Sequence, residues 1–294
     1  MSPAGYDEIL KALEEAERKD GSLPPPLAFF RELTLAQAGT DTTGVASAAA
    51  LSKDRAGALI EAGKPLLAFK DIRVDWNQAR SLYKQVAGLL VKYADIFETT
   101  PPQSTAAPSL VQLHEAARAW FEGVTPDVDS DISPVVVGAA LRPFLTAARA
   151  AVSALVGQEA WKRGFCPVCG GSADFGYLET EHGSRWLVCS RCDMEWEFKR
   201  LECPCCGNLD EKALSYFTDD AGRYRLYVCD SCRHYLKAID LRKVASKPLY
   251  PVERILTVNA DVQARESGYA PPTEYRRDIE SAMQKVEADG KKGL

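Results

Sequence analysis

The cysteines of this chain are the feature that most limits how it can fold. All nine lie between residues 165 and 232, and eight of them form four Cys-x-x-Cys pairs: Cys166/Cys169, Cys189/Cys192, Cys203/Cys206 and Cys229/Cys232. A Cys-x-x-Cys on a tight turn directs two thiolates at one metal ion, and a second such turn completes a tetrahedral S4 site. The pattern therefore predicts two metal sites around which the rest of the chain must fold.

The cysteine-rich segment repeats itself with a period of roughly 40 residues, as expected for two copies of one small module. Cys166-Pro-Val-Cys-Gly aligns with Cys203-Pro-Cys-Cys-Gly, and Leu187-Val-Cys-Ser-Arg-Cys aligns with Tyr227-Val-Cys-Asp-Ser-Cys. The two pairs of each copy are separated by 19 and 22 residues, respectively. The simplest assignment gives Cys166, Cys169, Cys189 and Cys192 to site 1 and Cys203, Cys206, Cys229 and Cys232 to site 2. Interleaved pairing is the alternative.

The residues leave the identity of the metal open, because zinc and a rubredoxin-type single iron both suit a tetrahedral S4 site. A closed S4 site offers no coordination position to a substrate, which favours a structural role over catalysis. A module of this size buries too little core to fold alone, so a metal ion would supply the missing stabilisation. We assign no catalytic residue.

Three further side chains near the pairs need an interpretation. Cys205 has Val168 as its counterpart in the first copy, so we interpret it as a bystander thiol, with a reactive spare thiol as the alternative. His182 lies in a hairpin turn and His234 follows the fourth pair. We expect both histidines to be surface residues and not metal ligands.

The residues that flank the cysteines alternate between apolar and polar in short segments bounded by turn residues, which predicts antiparallel strands. The segments are 175–179, 185–188, 195–199, 214–218, 224–228 and 235–239. Hairpin turns are expected at 181–184 and 219–222.

The first half of the chain has helical periodicity instead. Helices are predicted at 6–19, 27–37, 46–59, 75–97 and 110–121, and a last one from Ser133 and Pro134 towards residue 161. After the ribbons, helices are predicted at 252–266 and 274–287. The lone His114 receives no role. We expect an α+β protein in which an N-terminal all-helical domain (1–163) precedes two tandem rubredoxin-like or zinc-ribbon antiparallel β modules (164–201 and 202–243). A linker, a returning C-terminal helix and a charged tail (244–294) follow.

Charge argues against nucleic acid as a partner. The chain of 294 residues has a net charge of −5, whereas nucleic-acid-binding proteins usually carry a basic excess. Residues 161–243 hold 13 Lys+Arg and 13 Asp+Glu. The arginines and aromatic residues of the ribbons therefore form no basic surface, and a nucleic-acid-binding zinc ribbon is the weakest of the hypotheses considered.

We expect the protein to be cytoplasmic, without membrane insertion. Its first residues show no basic region followed by an apolar run, so no signal peptide is predicted. The apolar stretch 135–156 is interrupted by Arg142, Pro143 and Arg149, which favours a buried helix over a membrane span. In the cytosol thiols stay reduced, so the cysteine pairs are better interpreted as metal ligands than as disulfides.

The cysteine-rich half resembles a known family, the formate dehydrogenase accessory protein FdhE. The resemblance rests on Cys166-Pro-Val-Cys-Gly, on Cys189-Ser-Arg-Cys-Asp-Met-Glu-Trp, on Cys203-Pro-Cys-Cys-Gly and on Cys229-Asp-Ser-Cys-Arg-His-Tyr-Leu-Lys. It is specific over residues 164–240, and the segment that begins at Asn259 is similar to the closing helix of the family. The chain differs from the family in having Glu197 after Glu195-Trp196, in Pro251-Val-Glu-Arg at the start of the closing helix, and in Cys205.

The resemblance implies a cytoplasmic accessory factor and not an enzyme. Such a factor would bind the catalytic subunit of formate dehydrogenase during its maturation, and its cysteine sites would favour iron, with zinc as the alternative. The residues that contact the partner stay unknown at this stage, and a homo-oligomer stays open. The alternative function is a rubredoxin-like iron protein that transfers electrons.

Overall fold

The computed structural model describes residues 3–45, 49, 51–96, 105–124, 132–157 and 160–274. It confirms the α+β class. Six α-helices of the described residues precede the sheet and two follow it: α1 Pro3–Asp20, α2 Pro25–Ala38, α3 Lys53–Glu61, α4 Trp76–Lys92, α5 Leu110–Glu122, α6 Pro134–Val152, α7 Tyr250–Leu256 and α8 Val258–Glu266. The helix predicted at 274–287 and the start of the one at 46–59 lie outside the described residues.

Local side chains set several helix ends. Asp75 caps α4 by accepting hydrogen bonds from the N–H groups of Asn77 and Gln78. Ser109 and Gln112 form a reciprocal capping box at the start of α5, and Gly123 ends that helix in a left-handed conformation. Pro134 occupies the first turn of α6 as expected, but the Ser133 side chain forms no capping hydrogen bond.

Helix α6 is the central helix of the N-terminal half. Pro143 lies inside it and has no N–H to donate to the carbonyl of Ala139. The Gln37 side chain of α2 donates to that carbonyl instead, at 2.9 Å, so the helix continues through the proline.

By length and composition the segment Pro134–Leu155 could cross a membrane, but 56% of it is buried inside the protein. It is a core helix. It ends near Leu155, earlier than the predicted extension towards residue 161, and Trp161 instead donates its Nε1 hydrogen to the Phe165 carbonyl.

The two ribbons form one continuous sheet. The strands are β1 Ala173–Leu178, β2 Arg185–Cys189, β3 Glu195–Phe198, β4 Leu214–Thr218, β5 Tyr224–Cys229 and β6 His234–Asp240, in the order β3-β2-β1-β6-β5-β4. Each ribbon is antiparallel, but β1 and β6 pair in parallel, with Gly176 opposite Ala238. The sheet is therefore mixed. The predicted division of the chain into 1–163, 164–201, 202–243 and 244–294 stays a prediction.

One face of this sheet packs against the helical half mainly over the first ribbon. Leu187, Trp196 and Phe198 share one buried core with residues of α4, α5 and α6, and Leu236 of β6 lies at its border. The opposite face packs around Tyr250 of α7, which stacks on Tyr177 with the ring centroids 4.9 Å apart. The second ribbon shares only the margin of this large core.

The predicted closing helix is divided into α7 and α8 at Thr257, which differs from the single helix expected at 252–266. Buried Lys237 of β6 accounts for the division, because its Nζ donates to the carbonyls of Arg254 and Thr257. It also pairs with Asp261 of α8 at 2.6 Å. A side chain thus satisfies carbonyls that a continuous helix would have bonded internally.

We predict that Lys237→Met lowers the free energy of unfolding by about 2–3 kcal/mol, because it removes the buried ammonium group that pairs with Asp261 and donates to two carbonyls. Urea titration followed by circular dichroism measures the change. Lys247→Met is the matched control: this lysine forms an exposed ion pair with Glu195, so we expect a loss of less than about 1 kcal/mol. Equal losses in the two variants would contradict the role assigned to Lys237.

Candidate metal centres

The four Cys-x-x-Cys segments fold into the same turn. In each, the N–H of the residue after the second cysteine donates to the carbonyl of the first cysteine, over distances of 2.8–3.2 Å. That residue has a positive φ in every case: Gly170, Asp193, Gly207 and Arg233. Glycine, which adopts a positive φ without strain, occupies this position in two turns. The other two hold non-glycine residues at φ 55° and 57°, a conformation that needs support from surrounding contacts.

The turns bring together both predicted cysteine quartets. In site 1 the Sγ atoms of Cys169 and Cys189 are 3.6 Å apart, and those of Cys166 and Cys192 are 3.7 Å apart. In site 2 the Cys203–Cys232 and Cys206–Cys229 distances are 3.7 and 3.8 Å. The four sulfurs of each group lie within 4.8 Å of one another. The sulfurs converge in the same two groups as in the simplest assignment, and the assignment of these groups as metal ligands stays a prediction.

The sulfur geometry fits a metal ion at each centre. Tetrahedral ligands at the Zn–S distance of about 2.3 Å are about 3.8 Å from one another, close to the observed separations. The N–H groups of Val168 and Arg191 point at the sulfurs of Cys166 and Cys189, each over 3.4 Å. Burial raises the pKa of the Cys166 and Cys192 thiols well above the ordinary value. Four thiolates would therefore need a cation to offset their charge. Each quartet could hold one metal ion, and ligation itself stays a prediction.

The two centres differ in their surroundings. All four cysteines of site 1 are buried within the large core that the ribbon shares with the helical half. In site 2, Cys206 and Cys232 are half-buried, and the cysteines form a small cluster of their own. Cys205 is buried beside Cys203 but is not one of the four converging sulfurs. The sequence repeat did not predict this difference.

A group of charged residues holds the second turn of site 1 in place. Asp193, which has the positive φ, accepts two hydrogen bonds of 2.7 Å from Arg142 of α6 and one of 2.6 Å from Arg254 of α7. Burial alone would raise the pKa of Asp193, but the two guanidinium groups outweigh it and hold that pKa below its ordinary value. We call these three residues the Asp193 clamp.

The clamp extends to the turn backbone. Arg142 donates to the carbonyl of Ser190 at 2.9 Å, and Arg254 donates to that of Cys189 at 2.9 Å. Arg149, also on α6, donates to the carbonyl of Cys192 at 3.2 Å. From the sequence alone, Arg142 and Arg149 count only against a membrane span. Two arginines in an otherwise apolar helix were the signal that these side chains have buried partners.

Further contacts join site 1 to the helical half. Leu66 and Leu67 donate their backbone N–H groups to the carbonyls of Pro167 and Val168, each at 2.9 Å. From the other turn, Arg191 donates to the carbonyls of Trp120 and Phe121 at the end of α5. Both turns of site 1 are therefore fixed to the helices.

The histidines lie outside both quartets. His182 is exposed beside Glu181, and His234 is half-buried with its Nδ1 2.6 Å from the carbonyl oxygen of Cys232. His114 packs against the rings of Phe69 and Trp76. None of the three belongs to a group of converging ligand atoms in the described part of the chain.

Comparisons with known proteins agree with this site. The family model described as the FdhE central domain matches residues 165–200. An FdhE homolog from Aquifex aeolicus is 36% identical over 116 residues, which are 38% of this chain and 41% of that protein. FdhE from Escherichia coli is 25% identical over 164 residues, which are 55% of this chain and 53% of that protein. The chain thus spans about half or less of the length of these relatives in the matches.

One solved structure has a similar fold. The crystal structure of the FdhE protein from Pseudomonas aeruginosa superposes with a TM-score of 0.56 and 21% sequence identity. The superposition covers 92% of this chain and 93% of that one. At this identity the likeness establishes the fold alone.

Fold and site together define a class of protein: a helical domain joined to a sheet of two ribbons that carry two four-cysteine centres. The chain is similar to the FdhE family over its cysteine-rich half, as the central-domain match and the relatives show. The resemblance stated from the sequence is thereby confirmed.

We predict two metal ions per chain, measured by inductively coupled plasma mass spectrometry on anaerobically purified protein. Cys166→Ser/Cys169→Ser and Cys203→Ser/Cys206→Ser should each retain about one ion, because each breaks a single S4 site. Cys205→Ser is the control and should retain both. Acid should release the metal, because thiolates must be deprotonated to bind it. A variant of Cys205 that loses an ion, or a double variant that retains two, would contradict the assignment.

Proposed function

We propose that this chain is a non-enzymatic accessory factor for formate dehydrogenase, which binds the catalytic subunit of that enzyme in the cytoplasm during its maturation. The observation that carries the proposal is the pair of four-cysteine centres, the first of which lies in the segment that matches the FdhE central domain. A cytoplasmic place is consistent with nine reduced cysteines. A closed S4 centre leaves no coordination position for a substrate, which supports binding in preference to catalysis.

In this proposal Cys166, Cys169, Cys189 and Cys192 hold one metal ion, and Cys203, Cys206, Cys229 and Cys232 hold the other. Iron is favoured by the family resemblance, and zinc is the alternative. A bound ion would cross-link the two turns of its ribbon and offset the thiolate charge. The chain's own residues do the rest: the Asp193 clamp orients site 1 against the helices, and Lys237 fixes the closing helices on the sheet.

Rigidity is what these contacts supply to a binding protein. Site 1 is surrounded by the helical half, so loss of its ion would disturb the core on which the whole sheet rests. Site 2 has a small cluster of its own and lies in the outer part of the sheet. The two sites would therefore contribute differently: site 1 to stability, and site 2 to the shape of an exposed surface.

We predict that Cys206→Ser/Cys232→Ser abolishes metal binding at site 2 and weakens binding of the purified catalytic subunit about tenfold or more, because the surface loses its cross-link. Biolayer interferometry measures the affinity, and formate dehydrogenase activity in complemented cells measures the consequence. Cys189→Ser/Cys192→Ser should abolish both binding and activity. Cys205→Ser is the matched control. Unchanged affinity and activity in both double variants would refute the proposal.

A second candidate function, electron transfer by a rubredoxin-like iron, has one observation in its favour. Cys206 and Cys232 are half-buried, so an iron ion at site 2 would lie near the surface. We expect anaerobically purified protein with bound iron to show thiolate-to-iron charge-transfer bands in the visible spectrum. A colourless protein that contains only zinc would exclude this candidate and leave the accessory role intact.

A further inference from the structure

The two edges of the sheet are protected differently. Edge strands usually carry charges or proline, which prevent pairing with other chains. Strand β3 carries Glu195 and Glu197, which form ion pairs with Lys247 and Lys162. Strand β4 reads Leu-Ser-Tyr-Phe-Thr, with neither charge nor proline, and Tyr216 and Phe217 are 52% and 60% exposed. The edge beside site 2 thus offers an unprotected strand.

The register shows which backbone groups of β4 point outward. Asp219 and Ala213 bond to Tyr224 and Asp230 across the β4–β5 ladder. Since bonded and non-bonded residues alternate in an antiparallel pair, the N–H and C=O groups of Tyr216 and Thr218 face away from β5. Leu214 shares this orientation, but its N–H already donates to the carbonyl of Glu211. The groups of Tyr216 and Thr218 are those to which an added strand would bond.

A cavity of about 210 Å³ lies next to this edge. The cavity lies on the face of the sheet that packs against the helical half in the first ribbon. It is located where this packing ends. Its walls include Tyr216, Tyr227 and Leu236 on neighbouring strands, and Leu201 and Cys205 in the loop that leads into site 2. Pockets for drug-sized molecules have volumes of about 300–1,000 Å³. This one is better matched to a single side chain of a peptide.

The charged groups of the cavity favour an acidic occupant. Its walls hold Arg185, Arg200 and Arg225 and one carboxylate, Glu202. Arg225 also pairs with Asp240 at 2.9 Å, so the positive excess of the walls comes from Arg185 and Arg200. Arg185 is buried over the rings of Phe198 and Tyr227. The Nε atoms of Arg185 and Arg225 and the hydroxyl of Tyr227 are buried without a hydrogen-bond partner among the described residues. Buried donors of this kind normally have an acceptor.

We propose that β4 and the adjacent cavity bind an extended, acidic segment of the partner subunit. The segment adds as a strand along β4, places an apolar side chain in the cavity and directs a carboxylate towards the arginines. The inference rests on the proposed function and names the surface that would carry it out. Pairing of β4 with β4 of a second copy is disfavoured, because it would bring two sets of arginines together.

Hydrogen–deuterium exchange on the full-length, metal-loaded protein tests the surface. In the free protein the amides of Tyr216 and Thr218 should exchange rapidly. With the purified catalytic subunit bound, the same amides should exchange more slowly by about tenfold or more. Slow exchange of the outward-facing amides of Tyr216 and Thr218 already in the free protein would overturn the inference, because a second copy or another part of this chain would then cover the strand.

Two matched pairs of variants test the contacts. Tyr216→Ser on the cavity face should weaken partner binding about tenfold or more, whereas Phe217→Ser on the opposite face of the same strand should change it by less than about threefold. Arg200→Glu should weaken binding by a similar factor, whereas Arg223→Glu, an exposed arginine outside the cavity, should not. Near-ultraviolet circular dichroism and metal content confirm that each variant is folded.

The outcomes separate the inference from the proposed function. A catalytic subunit that binds and protects other segments, with β4 unchanged, would overturn the inference and leave the accessory role standing. A catalytic subunit that does not bind the wild-type protein would refute the accessory role itself. Equal effects of the two variants in either pair would also overturn the inference.

Discussion

The contact between Asp193 and the two arginines Arg142 and Arg254 holds the architecture together. Asp193 lies in a turn of site 1, Arg142 lies in the central helix of the N-terminal half, and Arg254 lies in the closing helix. A single buried carboxylate thus joins three parts of the chain that are distant in sequence. Burying an unpaired charge costs several kcal/mol, so none of the three parts can move away without exposing or stranding a charge. The positive φ of Asp193 is held by the same contacts.

This interaction makes the two metal centres unequal, although their sequences repeat. The residue equivalent to Asp193 in the second ribbon is Arg233. It is held by exposed groups: Asp230 at 2.8 Å and the ring of Tyr269. The first centre is therefore part of the core of the protein, whereas the second is supported mainly by its own ribbon. The sequence repeats one module twice, and the helical half packs mainly against the first copy. A protein built in this way has a stable half and an accessible half.

The sequence predicted the local structure well, because strands, turns and ligand pairs are local patterns. Strand β4 has the predicted bounds, the other strands differ by one or two residues at one or both ends, and each quartet contains the predicted cysteines. Three features depend on distant partners and could not be derived locally. These are the parallel pairing of β1 with β6, the division of the closing helix at Thr257 by Lys237, and the Asp193 clamp. A period-2 pattern shows which face of a strand is buried, but not which strand lies beside it.

The Tyr-Leu-Lys segment at Tyr235, which contributed to the family resemblance, illustrates how such a signature arises. Tyr235 and Lys237 both bond to Asp261 of α8, at 2.8 and 2.6 Å, while Leu236, between them, points to the opposite face and packs on the core. Three consecutive residues thus attach the closing helices to one face and the core to the other. Because β6 also joins the two ribbons, fixing this strand fixes the position of the second ribbon. The signature therefore has a structural reason, and the surface that we propose for a partner lies further outward, at β4 and the cavity beside it.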